Sequence, residues 1–258
     1  TITAHGQNKL LSSIQEYNNN GTWEKRYGTN YEYDSNNNLI AETGLSWVDG
    51  VWKRRSLETY SYNASNKLTQ DTYEDWNPDT NEVDYKGRSI YSYTNGKLTG
   101  IEGQEWKDSN WVNEYKITAT YNSNNLPEVV IEYSWISSQW VNEERTTYTY
   151  NANNKIISSV FEEWTNAQWV NSEKTLNTYN TNNKLILSRD ADWDEFNNDW
   201  TQNGNKIELM WDTTGNKTQN IDYYSWQGTV SQYKNEYAYD SFALMSNYVH
   251  PFNDKTGV

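Results

Sequence analysis

The 258-residue chain carries 35 acidic and 21 basic side chains, a formal charge of −14, no cysteine and two histidines. This balance argues against nucleic acid or an anionic membrane surface as a partner, since phosphate binding needs a basic face, and the missing cysteines exclude disulfides, thiolate metal sites and a cysteine nucleophile. Only 34% of residues are apolar and mean hydropathy is −1.07, yet 14 Trp, 22 Tyr and 4 Phe are present, so the chain folds around rings rather than aliphatic side chains.

The chain opens inside a repeat, at Thr1-Ile2-Thr3-Ala4, with neither an initiator Met nor a signal-peptide pattern. This reads as a processed or excised piece of a longer protein. From Lys9 onward two signatures alternate. The first is Tyr-x-Tyr-(Asn/Asp) followed by an Asn-rich segment and Leu or Ile. It is clear at 31–39, 60–68 and 148–156, and looser after Tyr91, Tyr121, Tyr179 and Trp211. Its anchor falls at 33, 62, 93, 121, 150, 179, 211 and 239, a period of about 29 residues. Asn tolerates the left-handed region and bonds its own backbone, so each copy is a turn.

The second signature lies between the anchors and is a Trp pair around four residues: Trp47…Trp52, Trp106…Trp111, Trp135…Trp140 and Trp164…Trp169. Trp193…Trp200 has two extra residues, and the repeats near Trp23, Trp76 and Trp226 keep one Trp. If the central two residues form a type I′ turn, as Asp49-Gly50 favours, the indoles face each other across a hairpin. Asp108-Ser109, Ser137-Ser138 and Asn166-Ala167 are weaker versions of the same turn. Each repeat is then two strands of about ten residues, giving about 16 strands from Lys9 to Tyr239 in one β-hairpin-repeat domain spanning 1–239. Residues 240–258 break the pattern and read as a linker or the start of another unit.

Strict alternation assigns the faces. Trp111, Asn113, Tyr115, Ile117, Ala119 and Tyr121 share one, as do Trp140, Asn142, Glu144, Thr146, Tyr148 and Tyr150, and Leu39, Ala41, Thr43, Leu45 and Trp47. Trp and Tyr therefore share a covered face, and Glu114, Lys116, Glu143 and Arg145 form a solvated one. The expected fold is all-β: an antiparallel up-and-down meander, closed as a water-soluble, porin-like barrel, flattened or holding a wet lumen lined by Asn113, Asn142, Asn171, Glu144 and Glu173. Closure removes exposed edges. The alternative is an open or curled single-layer repeat sheet. Charges on the outward candidates exclude a membrane-inserted barrel, since Arg or Lys near the midplane costs about 2–4 kcal/mol. No apolar run is long enough for a transmembrane helix.

Tyr31-Glu32-Tyr33-Asp34 through Leu39 resembles the YD motif of RHS-type surface proteins, whose repeats are shorter and lack the Trp hairpin. The whole pattern is similar to repeat-rich surface proteins exported by type IX secretion, some of which contain domains of unknown function with a porin-like fold. The resemblance implies a fold and a secreted or cell-surface bacterial location, with secretion machinery as one partner. It implies no activity.

Chemistry is sparse. His5 and His250 sit at opposite ends, which argues against a Ser-His-Asp triad or a His metal site. Glu143-Glu144 and Glu162-Glu163 are adjacent on strands and point to opposite faces, so neither pair suits glycoside hydrolysis. Asp190-Ala191-Asp192-Trp193-Asp194 resembles the opening of a calcium loop but lacks its Gly and final Glu. An acidic hairpin tip explains it as well. No catalytic residue, metal or cofactor is expected. The chain reads as a non-catalytic spacer, adhesion or display module. The alternative is a carbohydrate-binding module using the Trp rim, with Trp47, Trp52, Trp106, Trp111, Trp135, Trp140, Trp164 and Trp169 stacking on an extracellular glycan beside Asn113, Asn142 and Asn171.

Overall fold

A computed structural model describes residues 9–201, 204–226, 229–238 and 248–249. His5, His250 and the expected linker over 240–258, apart from Tyr248–Val249, lie outside the described residues. The chain forms β1 (Ser12–Asn19), β2 (Thr22–Tyr33), β3 (Leu39–Val48), β4 (Val51–Tyr62), β5 (Leu68–Asn77), β6 (Glu82–Thr94), β7 (Lys97–Lys107), β8 (Asn110–Tyr121) and β9 (Pro127–Ile136). It continues with β10 (Gln139–Tyr150), β11 (Ile156–Thr165), β12 (Gln168–Tyr179), β13 (Leu185–Asp194), β14 (Asp199–Trp200), β15 (Lys206–Trp211), β16 (Lys217–Trp226), β17 (Thr229–Ala238) and β18 (Tyr248–Val249). With β14 and β15 counted as one interrupted strand and the two-residue β18 set aside, the strand number matches expectation.

Two compact units divide the chain, residues 1–118 with 133–141 and residues 119–132 with 142–258. In the first, the ladder runs through antiparallel neighbours from β1 to β8. In the second it runs from β10 to β17, with β15 resuming beside β13 after β14. The described ladder of neither unit returns its last strand to its first. Each unit is thus an open antiparallel meander, the alternative form, rather than a barrel closed on itself.

A single layer has almost no interior. Among the described residues Ala191, at 3% exposure, is the sole buried apolar side chain, and no large side chain is fully buried. Cohesion must come from contacts along the sheet surface, so turns and register matter more than in a layered fold.

The two turn types repeat as the composition dictates. At the Trp end both central residues have positive φ: Asp49 (51°) and Gly50 (78°), Asp108 (50°) and Ser109 (64°), Ser137 (50°) and Ser138 (63°), Asn166 (53°) and Ala167 (61°). These are the type I′ turns expected from spacing. At the Tyr end, Asn or Asp caps the turn with its own side chain. Asn63 Oδ1 accepts from the backbone N–H of Ser65 and Lys67, and Asn151, Asn180 and Asp34 repeat the pattern. The left-handed position three residues later is Asn in each, at Asn37, Asn66, Asn154 and Asn183.

Ala167 has a Cβ where the turn prefers none. A left-handed residue other than Gly costs roughly 1–2 kcal/mol, partly offset by the greater freedom of Gly when unfolded. Ala167→Gly should therefore stabilise the protein by about 0.5–1 kcal/mol, read as an upward shift of the urea midpoint at constant slope.

The expected face assignment needs correction, because β-bulges of two kinds recur along the described ladders, although β16–β17 keeps unbroken register. After the Trp hairpin the register skips Arg26, Arg55, Asp84, Glu114 and Ser172. After the Tyr turn it skips Ile40, Thr69, Thr99, Ile157, Ile186 and Thr218. Each extra residue switches the strand's later side chains to the other face. In β8, Trp111 and Asn113 lie opposite Trp106 and Gln104, whereas Tyr115 and Ile117 lie opposite Gly103 and Ile101. Directly opposed residues share a face, so Trp pairs and Tyr-x-Tyr pairs occupy opposite sides of the sheet. A common lumen lining fails for the same reason: Asn171 and Glu173 flank bulged Ser172 and point to opposite faces.

Candidate functional site

The Trp face is built by hairpins holding their indoles at a fixed angle. Trp47–Trp52, Trp106–Trp111, Trp135–Trp140, Trp164–Trp169 and Trp193–Trp200 are edge-to-face pairs with centroids 4.8–5.1 Å apart and planes 65–69° apart. The longer fifth hairpin keeps the same geometry because Asp194 caps its loop, accepting from the backbone N–H of Phe196 and Asn197. Asp190, in the segment resembling a calcium loop, accepts from the Thr175 hydroxyl at 2.9 Å.

Cations join one hairpin to the next. Lys25 lies 4.5 Å from the Trp47 ring, Arg54 4.7 Å from Trp76, Arg88 4.3 Å from Trp111 and Lys116 5.7 Å from Trp140 in the first unit. In the second, Arg145 lies 4.7 Å from Trp169 and Lys174 5.5 Å from Trp200. Each basic residue contacts the Trp of the following hairpin. Arg145 also makes a two-pronged ion pair with Glu162, at 2.6 and 2.5 Å. Arg145 and Lys116 therefore do not belong to a plain solvated face. The bulge carries them to the Trp side, and their spacing of 29 residues, continued by Lys174, was the available signal. Of the three Asn placed beside the Trp rim, Asn113 accepts from Gln104 at 2.7 Å on the Trp face, Asn171 lies opposite Glu162 there, and Asn142 is half-buried.

Within the first unit the ladder is interrupted at the β5–β6 hairpin, where Val83 stands opposite Trp76, while the flanking β3–β4 and β7–β8 hairpins each pair two Trp. Beside this gap Trp106 is 42% exposed. A 390 Å³ pocket opens there, lined by Glu74, Val83, Asp84, Tyr85, Lys86, Glu105 and Trp106. Lys86 and Glu74 pair across it at 2.8 Å.

The Tyr face has a different stitch. The last Tyr of Tyr-x-Tyr donates its hydroxyl to a carbonyl 23 residues earlier, as Tyr33 to Leu10, Tyr62 to Leu39, Tyr150 to Pro127 and Tyr179 to Ile156, at 2.6–3.1 Å. Trp211 does the same to Leu185 through its indole N–H. In the second unit Tyr148, Tyr150 and Tyr179, with Pro127, Val130 and Ile156, line an open 650 Å³ groove.

Between the Tyr rows run opposed carboxylates: Glu42 with Glu58, Glu144 with Glu163, and Glu173 with Asp192. Burial, then the neighbouring negative charge, raises the pKa of Glu42, Glu144 and Glu173. Burial and then the bond to Asp71 push Tyr91 up to about 12. The turn carboxylates behave oppositely: the Thr214 hydroxyl, and next the Asn216 N–H, lower Asp212 from 3.8 to about 2. For the raised groups the folded form holds its proton more tightly, so stability grows as pH falls through their folded pKa values toward 4.5. For Asp212 stability is present above 3.8 and lost toward about 2. Thermal melting should peak at about pH 4–5 and fall at lower pH, and a Glu173→Gln change should flatten the neutral side of the curve.

No family model and no curated protein matches the chain. Several solved structures align with the chain at low similarity. A protein of unknown function from Bacteroides fragilis is 18% identical, with 46% of this chain and 88% of that one aligned and a TM-score of 0.40. A porin-like protein from Bacteroides uniformis is 12% identical, with 81% and 88% aligned and a TM-score of 0.40. A DUF3836 family protein from Bacteroides vulgatus is 21% identical, with 34% and 90% aligned and a TM-score of 0.30.

Proposed function

We propose that the chain is a non-catalytic repeat scaffold of a secreted or surface-exposed bacterial protein, acting as a spacer or display module. The observation carrying this reading is how the aromatic rows are used. The paired indoles stack on one another and take a cation from the preceding hairpin, while the tyrosines bond the preceding repeat's backbone. Side chains so committed hold neighbours together and leave little ring face for a ligand. Charges on both faces, such as Arg54 and Arg88 on one and Glu42 and Glu58 on the other, support an aqueous setting, since neither face offers an apolar band for lipid. Partners on this reading are the remainder of its parent protein and the export machinery that delivers it.

One observation favours a second reading, carbohydrate binding. At the Val83 defect, Trp106 is exposed beside Glu74, Lys86 and Glu105, which supplies a free ring with hydrogen-bonding groups around it. A glycan array with the parent chain and Trp106→Ala decides between the two. The scaffold reading expects no saccharide above background for either protein. Binding by the parent that disappears in Trp106→Ala, with unchanged melting temperature, would replace it with the lectin reading.

A further inference from the structure

At the Tyr end of the sheet, the lysine that opens a hairpin caps the ring that ends it. Lys9, Lys67, Lys184 and Lys217 hold their ammonium groups 4.2–5.1 Å from the rings of Tyr33, Tyr93, Trp211 and Tyr237. Two consecutive rings of the second unit lack this cap. Leu126 stands in the lysine's place ahead of Tyr150, and Lys155, in its place ahead of Tyr179, lies over no ring among the described residues. These uncapped rings wall the 650 Å³ groove. Their hydroxyls bond the carbonyls of Pro127 and Ile156 at 2.6 and 2.9 Å, which fixes the rings while leaving a face of each toward the groove.

We propose that this groove binds a proline-rich peptide in the polyproline II conformation, with acidic residues beside the proline run. Tyr150 and Tyr179 share a face on β10 and β12, with β11 between them. At about 4.8 Å per strand they stand about 9.6 Å apart across the sheet. A polyproline II helix repeats every three residues, about 9.3 Å, and so sets one proline per turn against each tyrosine. An extended β-strand repeats its side chains about every 6.6 Å and falls out of step. Polyproline II has no internal hydrogen bonds, so its carbonyls need donors from outside. Asn154 and Lys155 supply them at the rim. Asn154 Oδ1 accepts from Asn124 at 3.1 Å, and its own amide N–H groups have no partner among the described residues. Of the ten residues lining the groove, Lys155 alone is charged. Because charges are screened over about 8 Å at physiological salt, Lys155 outweighs carboxylates farther along the chain and favours an acidic ligand. The site adds a partner to the scaffold reading and stands independently of it.

Fluorescence anisotropy with the full chain tests this, using a labelled deca-proline peptide that ends in two glutamates. The parent should bind it saturably, and a Gly/Ser peptide of the same length and charge should not bind. Tyr179→Ala should weaken binding at least about tenfold, whereas Tyr179→Phe, which keeps the ring, should stay within about threefold of the parent. Lys155 is exposed on a turn, so Lys155→Glu should leave the melting temperature unchanged. It should nevertheless weaken the acidic peptide about tenfold and improve binding of a deca-proline peptide ending in two lysines. Absence of saturable binding by the parent overturns the proposal, as does equal binding of the Gly/Ser control. Binding that a folded Lys155→Glu chain leaves unchanged also overturns it. An oligosaccharide that binds where the proline peptide does not, with the same dependence on the Tyr179 ring, would replace it with a sugar groove.

Discussion

Replacing Trp169 with alanine is expected to destabilise the protein by about 4 kcal/mol, measured by urea unfolding. Three losses combine. A half-buried indole gives up on the order of 100 Å² of covered apolar surface, about 2.5 kcal/mol at 25 cal/mol per Å². The edge-to-face pair with Trp164, at 4.9 Å, contributes about 0.5–1.5 kcal/mol, and the Arg145 contact about 0.5 kcal/mol. Arg145 keeps Glu162, so no charge is stranded and the total does not grow further. Phe196→Ser is the control. That ring is 95% exposed on a loop, and its removal should fall within about 0.5 kcal/mol of neutral. A Trp169→Ala chain as stable as the parent would mean that the indole ladder does not hold the sheet together.

Deleting Ser172 should do more damage than any single substitution, costing about 5 kcal/mol and so most of the stability of an ordinary domain. Ser172 is the residue that the β11–β12 register passes over. Without it, residues 173–179 must either turn over or slip by one. Turning over sets Glu173 among the cations and indoles and pulls the Tyr179 hydroxyl from the Ile156 carbonyl, 2.9 Å away in the parent. Slipping breaks the pairing with β13. The side chain matters little, since its hydroxyl reaches only Glu163 at an exposed position, so Ser172→Ala should stay near neutral. Removing Glu195 and Phe196 should be tolerated, because it shortens the fifth hairpin to the length of the others. Parent-like stability in the Ser172 deletion, with the cost falling instead on Ser172→Ala, would refute the two-faced arrangement.

These two expectations mark where the sequence is legible and where it is not. Period, turn positions and the facing indoles follow from Asp49-Gly50, the Asn-rich turns and the Trp spacing, because left-handed backbone and aromatic pairing both demand particular residues. The bulges after the Trp hairpins demand none. Arg26, Arg55, Asp84, Glu114 and Ser172 share neither charge nor shape, so strict alternation read through them and put tyrosine on the wrong side. The other bulge did leave a mark: Ile40, Thr69, Thr99, Ile157, Ile186 and Thr218 are all β-branched and directly follow the Leu, Ile or Lys that closes the turn. Closure follows in sequence only from the general need to hide edges, and no particular residue encodes it. The facing geometry of the Trp pairs follows from their spacing. The gap at Val83 was visible only as a missing Trp and gained meaning when Trp106 proved exposed beside it.

The stitches between hairpins reach a little over twenty residues back or forward and no farther. A layered domain cannot lose an element without leaving a hole, yet here a hairpin could be duplicated or removed by one unequal recombination, with the two new neighbours meeting through the same contacts. Copy number is then free to drift or to be selected, and related genes of this kind should differ first in how many links they encode.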